Sequence, residues 1–214
     1  MPTLTAIRRV ANAALDLLLP RKCVGCRREG AFLCDRCIAE TPRAADTTGV
    51  GLQLVLAPFE MKGAAQKAVH RLKYNGVRGL AAPMGAAMAQ HLQRHGVSPD
   101  VIVPVPLHRS RQRERGYNQA ELLAREVGRW LEAPVNAGLL ARTESAGPQA
   151  RSASREERQA NVEGAFKAQR EAIGKSIVIV DDVTTTGATL QACAATLRQA
   201  GARRTWGLTF AREI

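Results

Sequence analysis

Short apolar runs alternate with amphipathic segments over most of the chain. Apolar runs that are bounded by turn residues predict strands at 52–59, 101–104, 135–140, 177–180 and 205–210. Apolar residues at helical spacing predict helices at 63–73, 80–95, 119–131 and 188–200. This alternation indicates an α/β protein whose mostly parallel sheet carries helices on both faces. Ligands of such sheets bind at the carboxyl ends of the strands.

The first 45 residues do not follow this alternation. Residues 4–19 predict an amphipathic helix, and two C-x₂-C pairs follow it. A linker rich in Thr, Ala and Gly occupies residues 42–51. We therefore predict a helix and cysteine module over residues 1–45 and a larger domain over residues 50–214.

The paired cysteines have the spacing of a metal site. Seven residues separate the two pairs, which are formed by Cys23, Cys26, Cys34 and Cys37. In a reducing compartment this pattern predicts a closed tetrahedral Cys₄ site with a structural Zn²⁺. The alternatives are two disulfides, which would suit a secreted protein, or a redox-active pair. The fifth cysteine, Cys193, lies on the apolar face of a predicted helix and is interpreted as a core residue.

Residues 176–190 carry the clearest chemical signal. A short apolar strand is followed by Asp181 and Asp182, then by three threonines and Gly187, and then by a helix. A glycine loop that leads into a helix presents backbone N–H groups to an anion, and threonine hydroxyls add donors. Carboxylates repel phosphate, so the acid pair suits sugar hydroxyls or Mg²⁺. The combination predicts a site for a ribose 5-phosphate; the alternative is a strand that ends in a polar, well-capped turn.

Charge and composition limit the classes of ligand and the cellular location that the sequence favours. The 31 basic and 19 acidic residues give a net charge of +12, which favours phosphates, nucleotides or nucleic acid as ligands. Aromatic residues make up 4% of the chain, too few for a broad base-stacking platform. The apolar run at 10–19 is too short to span a membrane and contains Asp16. We therefore expect a cytoplasmic protein without membrane insertion.

The motif at 176–190 resembles the phosphoribosyl pyrophosphate (PRPP) loop of type I phosphoribosyltransferases. Three further stretches, at 100–108, 113–119 and 155–166, make the chain similar to the ComF family of competence-associated proteins. The resemblance spans nearly the whole chain, cysteines included. It implies a type I phosphoribosyltransferase-like fold with an N-terminal zinc module. It also implies PRPP as the ligand, Mg²⁺ as its cofactor, and an association with DNA uptake.

The same resemblance assigns roles to individual residues. Asp181 and Asp182 would hold the ribose diol, and Arg158 and Asn161 would act from a catalytic loop within residues 142–161 that closes over PRPP. Val105 and Pro106 belong to the expected pyrophosphate loop, and Lys73 and Arg115 are further candidate contacts. The 5-phosphate would be bound by the PRPP loop itself, formed by Thr184, Thr185, Thr186, Gly187, Ala188 and Thr189.

One position departs from the pattern of the purine-salvage members. They usually hold a third acid three residues after the acid pair, whereas this chain holds Thr185. A purine base that must be deprotonated is therefore a poor acceptor. Three functions stay open: phosphoribosyl transfer to another nucleophile, binding of PRPP or a nucleotide without catalysis, and binding of single-stranded DNA together with DNA-uptake proteins.

Overall fold

The computed structural model describes residues 21–143 and 165–213. The helix predicted at 4–19 lies outside the described residues. So does most of the predicted catalytic loop, including Arg158 and Asn161.

The described residues contain eight strands and six α-helices. The strands are β1 (Thr47–Gly49), β2 (Leu52–Leu56), β3 (Phe59–Glu60), β4 (Val101–Pro104), β5 (Leu140–Arg142), β6 (Phe166–Ala168), β7 (Ser176–Thr184) and β8 (Arg204–Arg212). The helices are α1 (Asp35–Ala39), α2 (Gly63–Tyr74), α3 (Ala81–Arg94), α4 (Arg109–Arg115), α5 (Gln119–Leu131) and α6 (Ala188–Gln199).

Six of the strands form the central sheet. Its order is β1-β2-β8-β7-β4, and β3 pairs with β8 further along that strand. Every pairing is parallel except the edge pair β1–β2. β5 and β6 form a separate antiparallel pair. The sequence prediction of a mostly parallel α/β sheet is confirmed.

Alternate residues of β7 feed two hydrophobic clusters, one on each face of the sheet. Val178 and Val180 join buried residues of α2, α3 and α5. Ile177 and Ile179 join the buried face of α6 on the other side. Because β7 is covered on both faces, it reads in the sequence as a continuous apolar run rather than as an alternating one.

Two predicted strands are corrected by the structure. The run at 52–59 divides at residues 57 and 58, because Pro58 has no N–H and the Ala57 N–H donates to the Asp46 carboxylate. The strand predicted at 135–140 does not form. Val135 makes an isolated bridge to Ile102, and the Asn136 side chain then accepts the Gly138 N–H and closes a turn.

The cysteine module packs directly on the larger domain. Cys23, Leu33 and Cys37 share one hydrophobic cluster with α2, α3 and α5. The Phe32 ring lies against Gly79 so closely that it occupies the space of a Cβ atom there. Within residues 21–143 and 165–213, every helix is too short or too polar to cross a lipid bilayer.

Candidate functional site

The acid pair lies inside a strand rather than after it. β7 continues to Thr184, and Asp181 still pairs with Thr209 of β8. The two carboxylates therefore have a rigid backbone, and they differ in exposure. Asp182 is 2% exposed, while Asp181 keeps part of its surface open.

Asp182 has charged and polar neighbours on both sides. Its Oδ2 atom lies 2.7 Å from the Lys73 ammonium nitrogen, and its Oδ1 atom accepts a 3.2 Å hydrogen bond from Gln119. Arg115 donates in turn to the Gln119 side-chain oxygen. The approach of Lys73 lacks hydrogen-bond geometry, so among the described residues Oδ2 is a buried acceptor with an ion pair but without a hydrogen bond. A hydroxyl donor or a cation would complete its surroundings.

Asp181 has no comparable ion pair in the part of the chain that the structure describes. One of its oxygens accepts the N–H of Asp182 at 2.8 Å. Burial raises the pKa of Asp181 well above its ordinary value, and the neighbouring Asp182 charge raises it further. Lys73 opposes that rise but does not cancel it. Such a carboxyl gains most from a ligand that brings positive charge or hydrogen-bond donors.

The PRPP-type loop follows directly. Thr184 is buried at the end of β7, whereas Thr185, Thr186 and Thr189 are exposed. Gly187 caps α6 with a φ of 80°, which L side chains rarely adopt, and the first N–H groups of α6 have no acceptor within the helix. Ala188 donates its N–H to the Thr186 hydroxyl at 3.4 Å. The loop therefore joins hydroxyl and backbone donors at a positive helix end.

The expected pyrophosphate loop faces the acid pair. Val105 and Pro106 follow β4, which is paired with β7, and line a cavity of about 170 Å³ together with both acids. Lys73, Arg115 and Thr189 line the same cavity. The cavity thus brings together seven described members of the predicted PRPP site, from α2, α4, β7, α6 and the segment after β4. The other predicted loop residues, Thr184, Thr185, Thr186, Gly187 and Ala188, do not line it.

Asn118 positions that loop. Its side-chain oxygen accepts the Ala120 N–H and caps α5, and its amide nitrogen donates to the Val105 carbonyl. The oxygen and the nitrogen of this buried side chain both bond to backbone groups. Asn118 therefore affects the site by holding the backbone of the loop in place.

Further polar and aromatic residues line the cavity beside the contacts assigned above from the sequence. Gln119 donates a hydrogen bond to Asp182. Its place in the motif at 113–119 is the one feature of the sequence that could have indicated this role. Arg142 and Arg111 line the cavity as well, and burial lowers the pKa of Arg142. The ring of Tyr74 lies 5.6 Å from the Arg115 guanidinium carbon and supports it.

The four cysteines converge at a second location. Their sulfur atoms lie within 4.8 Å of one another. Gly25 lies in the first C-x₂-C turn, where a Cβ atom would come within 2.6 Å of the Cys37 sulfur. Two short cysteine turns with converging sulfurs fit a tetrahedral Zn²⁺.

The thiols differ in acidity. Burial opposes the ionisation of Cys23, but hydrogen bonds from the backbone of Cys26, Cys34 and Gly25 outweigh it and lower the pKa of Cys23 to about 6. Burial, together with the neighbouring thiols, raises the pKa of Cys37 to about 12. Four thiolates this close require a balancing cation, which Zn²⁺ would supply.

Comparison with known proteins finds relatives of moderate identity. Competence protein F of Haemophilus influenzae is 38% identical over 118 residues, which cover 53% of this chain and 51% of the relative. DNA utilization protein YhgH of Escherichia coli K12 is 34% identical over 139 residues, which cover 63% of this chain and 61% of the relative. The matches thus span about half to three-fifths of these relatives.

The solved structures that resemble the chain are more distant. The glutamine PRPP amidotransferase of B. subtilis is 22% identical, with a TM-score of 0.43, over 60% of this chain and 26% of the other. A purine phosphoribosyltransferase of Pyrococcus horikoshii is 18% identical, with a TM-score of 0.37, over 58% and 67% of the two chains. Residues 77–205, more than half of the chain, match the phosphoribosyl transferase domain family. The chain belongs to that family.

Proposed function

We propose that the protein binds Mg²⁺–PRPP at the carboxyl ends of β4 and β7 and transfers its phosphoribosyl group. The observation that carries this proposal is the Asp181 carboxyl, which lies beside an anion-binding loop and has its charge only partly compensated. The acid pair and Thr189 of the expected phosphate-binding loop line one cavity, and a ribose 5-phosphate needs both kinds of group in one place.

Each part of the ligand has a matching surface. The 5-phosphate suits the N–H and hydroxyl donors at 184–189, and the ribose diol suits Asp181 and Asp182. The pyrophosphate suits the nearby cations Lys73, Arg111 and Arg115. The backbone at 105 and 106 offers it no donor, because Pro106 has no N–H and the Val105 N–H donates to the Val180 carbonyl at 2.8 Å.

The chemistry follows from this placement. The C1–O bond to pyrophosphate breaks with its electron pair on the leaving oxygen, while a nitrogen nucleophile forms a bond to C1 and releases a proton. Mg²⁺ would neutralise pyrophosphate oxygens as negative charge develops. The chain supplies positioning and electrostatic stabilisation. Arg158 and Asn161, which lie outside the described residues, would arrive with the closing loop.

The acceptor differs from a purine base. Thr185 is exposed where a general base would stand, and a hydroxyl does not accept a base proton at neutral pH. We therefore expect an acceptor that is already nucleophilic, such as an amine.

Titration calorimetry of PRPP into the zinc-loaded protein, with and without Mg²⁺, tests the binding site. We expect Mg²⁺-dependent binding that Asp181→Asn and Asp182→Asn abolish and that Glu171→Gln, an exposed acid, leaves unchanged. Absence of binding by the unaltered chain would refute the site. Binding without pyrophosphate release across a set of amine acceptors would indicate a PRPP sensor instead of an enzyme.

The second candidate function is binding of single-stranded DNA. A groove of about 720 Å³ separates the cysteine module from α2, and Lys22, Arg27, Lys67 and Arg71 are among its lining residues. The names of the relatives refer to competence and DNA utilization. Phosphate binding in this groove predicts an affinity that falls steeply with salt, with a slope reduced by about one for each contact removed in Lys67→Gln or Arg71→Gln. A salt-independent affinity would rule out this function.

The remaining assignments belong to the same proposal. Residues 1–45 would form a module closed by a structural Zn²⁺, and residues 50–214 the phosphoribosyltransferase-like domain. Reduced cysteines and a nucleotide-type substrate fit a cytoplasmic location, where DNA-uptake proteins would be the partners.

A further inference from the structure

A cluster of metal-ligating side chains lies outside both sites described above. His91 and His95 stand one helical turn apart on α3 and its C-terminal end, and Asp46 reaches them from the linker before β1. One ring nitrogen of each histidine and one carboxylate oxygen of Asp46 lie within 4.8 Å of one another. Linker and helix thus converge here from positions 45 residues apart.

The carboxylate lies between the two imidazoles. Asp46 Oδ1 is 2.9 Å from His91 Nε2, and Asp46 Oδ2 is 2.9 Å from His95 Nε2. The His91 side chain is 12% exposed and that of Asp46 19% exposed. The Ala57 N–H donates to Oδ1 at 3.1 Å and fixes the orientation of the carboxylate. Carboxylates and histidines that bind metals usually form a further hydrogen bond of this kind, which fixes their orientation.

We infer that Asp46, His91 and His95 form a second divalent metal site, which takes a zinc-like ion and completes its coordination with water. Two imidazoles and a carboxylate are a donor set suited to Zn²⁺, Co²⁺ or Ni²⁺. Around a tetrahedral Zn²⁺, neighbouring ligand atoms lie ~3.3 Å apart, given Zn–N distances of 2.0–2.1 Å. The two Nε2–oxygen distances need to widen by only a few tenths of an ångström to admit the ion.

Arg212 is a charged group that opposes such a site. It approaches from the end of β8 and its charge attracts Asp46. Its terminal nitrogen, however, donates to the Val55 carbonyl at 3.1 Å. Both carboxylate oxygens therefore remain directed at the imidazoles.

The consequence is a metal-dependent tether. An ion bound here joins the linker after the cysteine module to α3 of the larger domain. The Cys₄ cluster closes the module on itself, whereas this site fixes the chain that leads out of it.

Metal content of the full-length protein tests the inference. After equilibration with Zn²⁺ and removal of unbound ion, we expect two equivalents in the unaltered chain and one in His91→Ala and Asp46→Asn. Gln93→Ala, an exposed substitution on the same helix, should keep two. One equivalent in the unaltered chain, unchanged in His91→Ala, would overturn the site and leave a hydrogen-bonded cluster.

Cobalt spectra separate this result from a failure to fold. Cobalt in a Cys₄ site gives intense thiolate charge-transfer bands, whereas two histidines and a carboxylate give only weak visible bands. We expect His91→Ala and Asp46→Asn to lose the weak component and to retain the intense one. Retention shows that the cysteine module is intact, and persistence of the weak component in both variants would contradict the inference.

Discussion

The cysteine cluster and the acid pair on β7 both bring ionisable side chains close together, but their surroundings differ. The four sulfurs lie within 4.8 Å of one another, so a Zn²⁺ ion that they bind would have no open coordination position. In the acid pair, Asp182 has Lys73 and Gln119 beside it, whereas the Asp181 charge is only partly balanced. We infer that the closed cysteine cluster stabilises the fold, whereas the acid pair, whose charge is only partly balanced, binds a ligand. The four predictions below test this difference, from the largest expected effect to the smallest.

Removal of metal from the cysteine cluster should have the largest effect. Structural Zn²⁺ contributes on the order of 10 kcal/mol to such modules, so chelation or Cys37→Ser should unfold residues 22–41. Hydrogen exchange should rise there, while β7 and β8 stay protected. Cys193→Ala, a buried cysteine on α6, should keep the zinc content. Unchanged exchange in the module after chelation would contradict a metal-dependent fold.

Loss of the Lys73 charge should have the next largest effect. Lys73→Met leaves the Asp182 carboxylate buried and unpaired, which typically costs about 3–5 kcal/mol. Denaturant unfolding measures this cost. Lys67→Met, an exposed change on the same helix, should cost much less. The double variant Lys73→Met/Asp182→Asn should recover most of the loss, and a lack of recovery would show that the ion pair is not the cause.

Asp181→Asn should stabilise the protein at neutral pH. The folded-state pKa of Asp181 is raised above its ordinary value near 3.8, so the folded chain binds this proton more tightly than the unfolded chain. Its contribution to stability is fully present below the ordinary pKa and is lost as pH rises through the raised value. Asparagine carries no such charge. Unfolding free energies across this pH range should therefore converge in acid and favour the variant at neutral pH. A variant less stable at every pH would contradict this assignment.

Asn118→Ala should have the smallest effect on stability. A lost N-cap costs about 1 kcal/mol, typically within 0.5–2 kcal/mol. The Val105 carbonyl also loses its donor, so the expected pyrophosphate loop should shift and PRPP affinity should fall. Thermal unfolding and calorimetry measure the two effects. Asn118→Asp keeps the capping oxygen but not the amide donor, so it should restore stability more than affinity.

The sequence predicted those elements whose local pattern and tertiary role agree. α5 begins and ends where the pattern placed it, because Asn118 caps a segment with a clear apolar face. The cysteine cluster was predictable because its ligands are close in sequence. α4 was not predicted as a helix, since this basic segment has no buried residue and depends on the His108 cap and on Gly116.

The ion pair and the hydrogen bond that balance the Asp182 charge could not be predicted from the sequence in the same way. Lys73, Gln119 and Asp182 belong to three elements, and their contacts exist only once α2, α5 and β7 pack together. The sequence identified Asp181 and Asp182 as equivalent acids at the end of a strand. Their different surroundings depend on the extension of that strand to Thr184 and on the packing of α2 and α5 against Asp182.

Thermal unfolding of the unaltered chain and of Asp181→Asn, each with and without Mg²⁺–PRPP at neutral pH, tests the central claim most directly. We predict a crossover. Without ligand, the variant should unfold at the higher temperature. With saturating ligand, the unaltered chain should unfold at the higher temperature, because it alone is stabilised by binding. An equal ligand-induced shift in both proteins would contradict the role of Asp181 in binding PRPP.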